Sequence, residues 1–192
     1  MDDIKIIDNF LEKDLFSSIA NCITSNEFQW YFQNDISGKI VTDDLGDFGF
    51  SHVFYKDGET KSDWFEDIMP FVNKVLNFTD SVEILRARGD LTLFNQSPHK
   101  HRTHVDLPYQ NTTAILYITN SDGNTILYDQ HNKFTDPEKI HNYIYENEKD
   151  FNIVKEIEPV ANRLVVFNGL RFHTGHSPTK HKRRILLNIN VR

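Results

Sequence analysis

Two histidines and one aspartate in this sequence have the residue types and spacing of a metal site. His104 and Asp106 are separated by one residue, and His173 follows 67 residues after Asp106. Two imidazoles and one carboxylate form the facial ligand set of non-haem iron(II), which leaves coordination positions open for oxygen and substrate. Arg184 stands 11 residues after His173, and its guanidinium is suited to holding a dicarboxylate through paired hydrogen bonds. Together the four residues predict an iron-dependent oxygenase.

The segments that carry these residues are predicted to be strands. Side chains two apart on a strand point the same way, so a short strand over 103–107 would direct His104 and Asp106 into one cavity. His173 lies in a strand-like segment over 170–174, and Arg184 opens the last predicted strand, 184–191. A His-x-Asp triplet alone is a weak signal, since it also occurs by chance. The inference depends on all four side chains meeting in one cavity.

The remaining elements predict a fold that is mainly β with flanking helices. Turn signals at 121–124 and at Asn168-Gly169 predict β-hairpins, and Pro70 predicts a kink or break in the second helix. We expect an antiparallel jelly roll over about 82–191, backed by helices within about 1–80, in one domain spanning 1–192. Further strands are predicted at 4–7, 82–85, 91–95, 112–119, 125–128, 154–157 and 163–167, and helices at about 12–25, 62–78 and 136–149.

Composition and charge narrow the classes of partner. The net charge of -7 argues against a nucleic-acid partner, because proteins that bind phosphate backbones are usually basic. Cys22 is the single cysteine, which excludes an internal disulfide. No apolar run has the length of a membrane span. We therefore expect a soluble, cytoplasmic protein without a membrane partner, and no feature predicts an oligomeric state.

Several segments, taken in order, resemble the 2-oxoglutarate- and iron(II)-dependent dioxygenases. The similarity is greatest to the prolyl 4-hydroxylase-like branch, which includes small phage and bacterial members. It covers about 82–191 and touches the opening Ile-Ile-Asp-Asn-Phe-Leu. The segments are His104-x-Asp106, 112–119 with 122–125, 162–167, His173-Thr174-Gly175 and Arg184.

This resemblance implies a double-stranded β-helix, a cupin-like form of jelly roll. It makes His104, Asp106 and His173 the iron ligands and Arg184 the partner of 2-oxoglutarate, with neighbouring Arg183 as the alternative. Prolyl 4-hydroxylases usually have lysine at the position of Arg184. Two further residues are candidates for co-substrate binding, Tyr117 and Thr125, although a core role for Tyr117 is an equal alternative. The cofactors implied are iron(II), 2-oxoglutarate and O2, and the resemblance also allows ascorbate.

The implied reaction is hydroxylation of a peptidyl proline or similar residue, with decarboxylation of 2-oxoglutarate to succinate. The alternatives are a hydroxylase of a free amino acid or metabolite and a non-catalytic cupin-like metal-binding module. Three other features stay open. His99 and His101 form either a zinc site with His104 or a loop beside the iron site. Arg86 and Arg88 lie either at the surface or at the pocket mouth, where they would meet an acidic partner. Segment 38–58 is a candidate lid.

Overall fold

The computed structural model describes residues 4–36 and 47–192. Within these ranges the α-helices are α1 (Lys13–Thr24), α2 (Phe65–Thr79) and α3 (Pro137–Asn147). The strands are β1 (Lys5–Ile7), β2 (Tyr31–Gln33), β3 (Gly49–Lys56), β4 (Glu59–Thr60), β5 (Ile84–Leu93), β6 (Thr112–Tyr117), β7 (Thr125–His131), β8 (Ile153–Ile157), β9 (Leu164–Asn168), β10 (Arg171–Gly175) and β11 (Arg183–Val191). A 3-10 turn (Glu148–Asp150) follows α3.

These strands form two antiparallel sheets. The larger sheet has the order β1-β9-β6-β11-β5-β3-β2, with β4 paired to β3, and the smaller has the order β10-β7-β8. Strand β11 lies inside the larger sheet between β5 and β6. It therefore contributes side chains to both faces of that sheet.

Alternation along the strands of the larger sheet divides the core into two parts. On β11, Ile185, Leu187 and Ile189 join the apolar cluster formed with α1 and α2. Leu186 belongs instead to the cluster between the sheets, together with Tyr117 of β6. Because side chains alternate across a strand, the even-numbered residues of β11 face the space between the sheets. Burying each large apolar side chain contributes roughly 1.5–3 kcal/mol, so this alternation fixes the register strongly.

Both predicted hairpins are wrong. Strands β6 and β9 pair with each other in the larger sheet, and β7 and β10 pair in the smaller one. The turns at 121–124 and at Asn168-Gly169 therefore carry the chain from one sheet to the other. A Cβ at position 169 would overlap the side chain of Asn111, so glycine is required by a close approach between segments. Turn-forming residues report a local change of direction, and the pairing of the flanking strands depends on distant partners.

Two strand predictions also need correction. Segments 82–85 and 91–95 belong to one strand, β5, which runs through Gly89. Glycine is suited there because a Cβ would lie 3.3 Å from the Trp30 ring. Segment 103–107 is not a strand, since it makes only an isolated bridge between His104 and His173.

Helix α2 includes Pro70 and continues to Thr79. Asp80 ends the helix in the left-handed conformation, with φ 52°.

The candidate lid over 38–58 falls only partly on described residues. Its portion up to residue 46 lies outside them. The portion over Gly49–Lys56 is strand β3, paired to β2, β4 and β5, and it is therefore part of the larger sheet.

Within the described ranges, no helix combines the length and the apolar character needed to cross a membrane.

Candidate metal centre

The three predicted ligands meet between the two sheets. His104 and His173 form a backbone bridge, with His104 N donating to His173 O at 2.9 Å and His173 N donating to His104 O at 3.0 Å. Their ring centroids are 4.5 Å apart. Asp106 completes a group whose potential ligand atoms all lie within 4.8 Å of one another. Although 103–107 is not a strand, the bridge to β10 orients His104 as a strand pairing would.

Hydrogen bonds to backbone carbonyls set the orientation of both imidazoles. His104 Nδ1 is 3.0 Å from Arg102 O, and His173 Nδ1 is 3.0 Å from Arg171 O. A carbonyl can only accept, so each Nδ1 carries a proton, and in the neutral form of either ring it is Nε2 that has the free lone pair. Burial, reinforced by the neighbouring His173, lowers the pKa of His104 to about 4. His104 is therefore neutral at physiological pH, as a metal ligand must be.

Asp106 is held by cationic and amide groups on β5 and β11. Its side chain is 1% exposed, and Oδ1 accepts from Arg86 Nη2 at 2.6 Å. Asn188 Nδ2 lies 3.1 Å from Oδ1 and 3.0 Å from Oδ2, while Oδ2 is 3.7 Å from His173 Nε2. Burial alone would raise the pKa of Asp106, but Arg86, His173 and Arg88 hold it well below its usual range. Oδ2 of an ionised carboxylate thus faces the imidazoles, with Oδ1 anchored by arginine.

A cavity of about 70 Å³ adjoins the triad and is lined by His104, His173, Thr125 and Arg184. Arg184 is 7% exposed, and its Nη2 donates to Thr125 Oγ1 at 2.7 Å. No carboxylate among the described residues forms an ion pair with this guanidinium, and its Nε has no hydrogen-bond partner there. A buried unpaired cation is costly, so the cavity presents a site for an anion.

A glycine beside Arg184 makes room for the guanidinium at the cavity wall. A Cβ at Gly175 would lie 2.5 Å from Arg184 Nη1, so only glycine accommodates the guanidinium in this position. Two other buried polar atoms of cavity-lining residues also lack hydrogen-bond partners among the described residues, Thr92 Oγ1 and Asn188 Oδ1. An oxygen atom of a ligand would accept from the Thr92 hydroxyl, whereas Asn188 Oδ1 is itself an acceptor and needs a donor such as water.

The remaining residues considered for co-substrate binding, Tyr117 and Arg183, both lie outside the cavity lining. Tyr117 is fully buried, does not line the cavity, and donates from its hydroxyl to Thr125 Oγ1 at 2.6 Å. Its ring centroid lies 5.9 Å from Arg184 Cζ, so Tyr117 packs behind the guanidinium. Arg183 is exposed on the opposite side of β11.

Sequence reasoning left the place of Arg86 open and did not assign a role to Asn188. Arg86 is not a surface arginine; it has an acidic partner, as the second alternative allowed, and that partner is Asp106. For Asn188 a signal was available. Polar residues in an apolar last strand, on the same face as Arg184, indicate a polar cavity on that face. Asn190 follows the same alternation and contacts Asp106 Oδ2 at 3.4 Å.

Comparison with known proteins identifies the fold of this chain. Residues 106–184 match the profile of a family of unknown function, DUF6445, and no curated protein sequence matches the chain. Similar solved structures include the non-haem α-ketoglutarate-dependent epimerase SnoN from nogalamycin biosynthesis, with a TM-score of 0.70 and 10% identity over 99% of this chain and 76% of that one. The fold is a double-stranded β-helix.

Two prolyl hydroxylases share this double-stranded β-helix. The enzyme from Trichoplax adhaerens, solved with a peptide fragment of hypoxia inducible factor, has a TM-score of 0.65 and 14% identity over 100% of this chain and 84% of that one. The Pseudomonas putida prolyl-4-hydroxylase has a TM-score of 0.58 and 15% identity over 99% and 92% of the two chains. The predicted fold class is therefore confirmed, at identities that establish the fold alone.

Proposed function

We propose that this chain is an iron(II)- and 2-oxoglutarate-dependent dioxygenase. The observation that carries the proposal is Arg184, a buried guanidinium without a carboxylate partner among the described residues, in the cavity that adjoins two histidines and an aspartate. A structural metal site would not require a buried cation beside it. A site for a metal and a dicarboxylate requires both.

The donor set fits iron(II). His104 Nε2, His173 Nε2 and Asp106 Oδ2 would hold the ion, because these atoms face one another while the second polar atom of each side chain is already hydrogen-bonded. Three protein ligands on one side leave positions for a bidentate 2-oxo acid and for oxygen. When bound, iron(II) couples O2 activation and decarboxylation of 2-oxoglutarate to succinate with oxidation of a substrate C–H bond.

The remaining residues bind and position the co-substrate. Arg184 and Thr125 would receive its remote carboxylate, Arg184 as a two-pronged donor and Thr125 through its hydroxyl. Tyr117 acts through Thr125 as a positioning residue, since its own hydroxyl ends on Thr125 Oγ1. Arg86 keeps Asp106 ionised and prevents its rotation. Arg184 is favoured over Arg183 because it lines the cavity, whereas Arg183 is exposed.

As the substrate we propose a peptidyl proline or a similar residue. The order of motifs in the sequence and the presence of prolyl hydroxylases among the similar structures support this choice. A small-molecule substrate is the second candidate, supported by the similarity to an epimerase from nogalamycin biosynthesis. Incubation with proline-containing peptides and with a cell metabolite extract, followed by mass spectrometry for an added oxygen, separates the two.

Anaerobic iron(II) titration in the presence of 2-oxoglutarate tests the reaction class. A visible charge-transfer absorbance should appear, and admission of O2 with ascorbate should yield succinate even without substrate. Asp106→Asn should abolish both signals, whereas Asp14→Asn, at an exposed position of α1, should preserve them. Metal binding without any succinate would identify a non-catalytic metal-binding module instead.

A further inference from the structure

The neighbouring histidines His99, His101 and His104 belong to two separate clusters. His104 belongs to the candidate iron site, whereas His99 and His101 lie against Asp47, a residue more than 50 positions earlier in the chain. Asp47, His99 and His101 form a second group whose potential ligand atoms lie within 4.8 Å of one another. The dioxygenase chemistry proposed above gives this second cluster no role.

Backbone pairing presents the two histidines on one side. Segment 99–101 runs beside the end of β10, with His101 N donating to Gly175 O at 2.9 Å and Ser177 N donating to His99 O at 3.0 Å. Residues two apart in an extended segment point the same way. The intervening Lys100 is directed elsewhere and contacts Glu148 at 2.8 Å. Both imidazoles therefore approach the carboxylate of Asp47 from a fixed backbone.

Two of the three distances between the ligand atoms are close to those around a tetrahedral zinc ion. Zn–N and Zn–O bonds of about 2.0–2.1 Å place neighbouring ligand atoms about 3.3 Å apart. Asp47 Oδ1 lies 3.0 Å from His99 Nε2 and 3.3 Å from His101 Nδ1. The side chains of Asp47 and His101 are each 3% exposed, while that of His99 is 18% exposed and provides the route of entry.

Second contacts hold these ligands as they hold the first triad. His101 Nε2 is 3.1 Å from Ser177 Oγ, which fixes the ring and turns Nδ1 toward Asp47. Asp47 Oδ2 is 3.2 Å from Arg102 Nε, an ion-pair distance without the alignment of a hydrogen bond. One carboxylate oxygen thus faces arginine and the other faces two imidazoles, as in Asp106. Such outer contacts are a regular feature of metal sites.

We propose that Asp47, His99 and His101 form a second metal site that binds Zn²⁺, with its fourth position taken by water. The ion would cross-link residue 47 to segment 99–101. Because His101 also lines the cavity that contains Arg184, this cross-link fixes one wall of the candidate co-substrate site. The site uses none of the three proposed iron ligands, so it stands or fails separately from the dioxygenase assignment.

Calorimetric titration of chelator-treated protein with Zn²⁺ tests the proposal. The full chain should bind two equivalents. His99→Gln and Asp47→Asn should each leave one equivalent, and the matched control His141→Gln, an exposed histidine on α3, should leave two. Binding of Zn²⁺ that is the same in the full chain, in His99→Gln and in Asp47→Asn, whether one equivalent or two, would overturn the second site and show a purely hydrogen-bonded cluster.

A second measurement isolates the new site from the first. In Asp106→Asn, where the proposed iron site is disabled, Zn²⁺ should still raise the Tm, because an ion that binds only the folded state stabilises it. Adding Asp47→Asn to that variant should remove the rise. Co²⁺ in Asp106→Asn should give the intense visible bands of a tetrahedral site. A Tm unaffected by Zn²⁺ in folded Asp106→Asn contradicts the proposal, whatever the activity of the unmodified chain.

Discussion

Replacement of Arg184 is the most informative perturbation of the proposed co-substrate site. Lysine retains the positive charge but presents a point charge in place of the planar fork. Arg184→Lys therefore loses at least one charge-assisted hydrogen bond to the remote carboxylate, together with the present contact of Nη2 with Thr125. A hydrogen bond to a charged group contributes about 1.5–3 kcal/mol. Since 1.4 kcal/mol is about tenfold in affinity, we expect 2-oxoglutarate binding to weaken by about 10- to 100-fold.

Arg184→Met extends the test by separating binding from stability. The guanidinium is buried and has no carboxylate partner within the described ranges, so it is unfavourable for the ligand-free fold. Methionine of similar length should leave the free energy of unfolding unchanged or higher while abolishing 2-oxoglutarate binding. An arginine kept for structural reasons would show the reverse, with a loss of stability.

The assay is anaerobic calorimetry of 2-oxoglutarate with protein loaded with Mn²⁺ in place of iron, alongside metal titration of each variant. Metal affinity should stay nearly constant, because Arg184 is not among the proposed ligands. Arg183→Lys, at the exposed neighbouring position, is the matched control and should behave as the parent does. Unchanged 2-oxoglutarate affinity in Arg184→Lys, or an equal loss in Arg183→Lys, would refute the reasoning.

Three further predictions concern the same cavity. Gly175→Ala places a Cβ 2.5 Å from Arg184 Nη1, so calorimetry should show weaker 2-oxoglutarate binding with metal affinity intact; equal affinity would show that the guanidinium can move freely. Arg86→Gln removes the cation that holds Asp106 Oδ1. Metal affinity should then fall by about 10- to 100-fold, as for other outer-sphere contacts of metal ligands. An unchanged metal affinity would count against Asp106 as a ligand. Folding lowers the pKa of His104 from 6.5 to about 4, so between these values the unfolded chain binds more protons and the metal-free protein loses stability as pH falls. At roughly 1.4 kcal/mol per pH unit the loss is at most about 3.5 kcal/mol, measurable by urea unfolding, and His104→Gln should reduce it.

The sequence predicted the elements well where local pattern decides them. Helix α1 and strand β11 lie within a residue or so of their predicted bounds, because apolar residues recur with the helical or the strand period. The gathering of His104, Asp106 and His173 was likewise predicted from residue type and order. The helix and the strand depend on side-chain patterns along short stretches of chain, whereas the triad was inferred from residue types and from the resemblance to a family.

Tertiary structure decided which strands pair and which polar side chains meet beyond the predicted triad. The turn at Asn168-Gly169 reads as a hairpin, yet the strands it joins belong to different sheets. Asp47 lies more than 50 residues before His99, and the sequence pattern around neither residue predicts their contact.

The residue types of the candidate site were thus fixed by the sequence, as was the alternation that faces Arg184 and Asn188 toward one cavity. Only the folded chain determined that Arg86 neutralises Asp106 and that Arg184 is buried without a carboxylate partner among the described residues. The physical reason is that burial and ion pairing depend on which distant segments the two sheets bring within a few ångströms, and local periodicity carries no information about those distances.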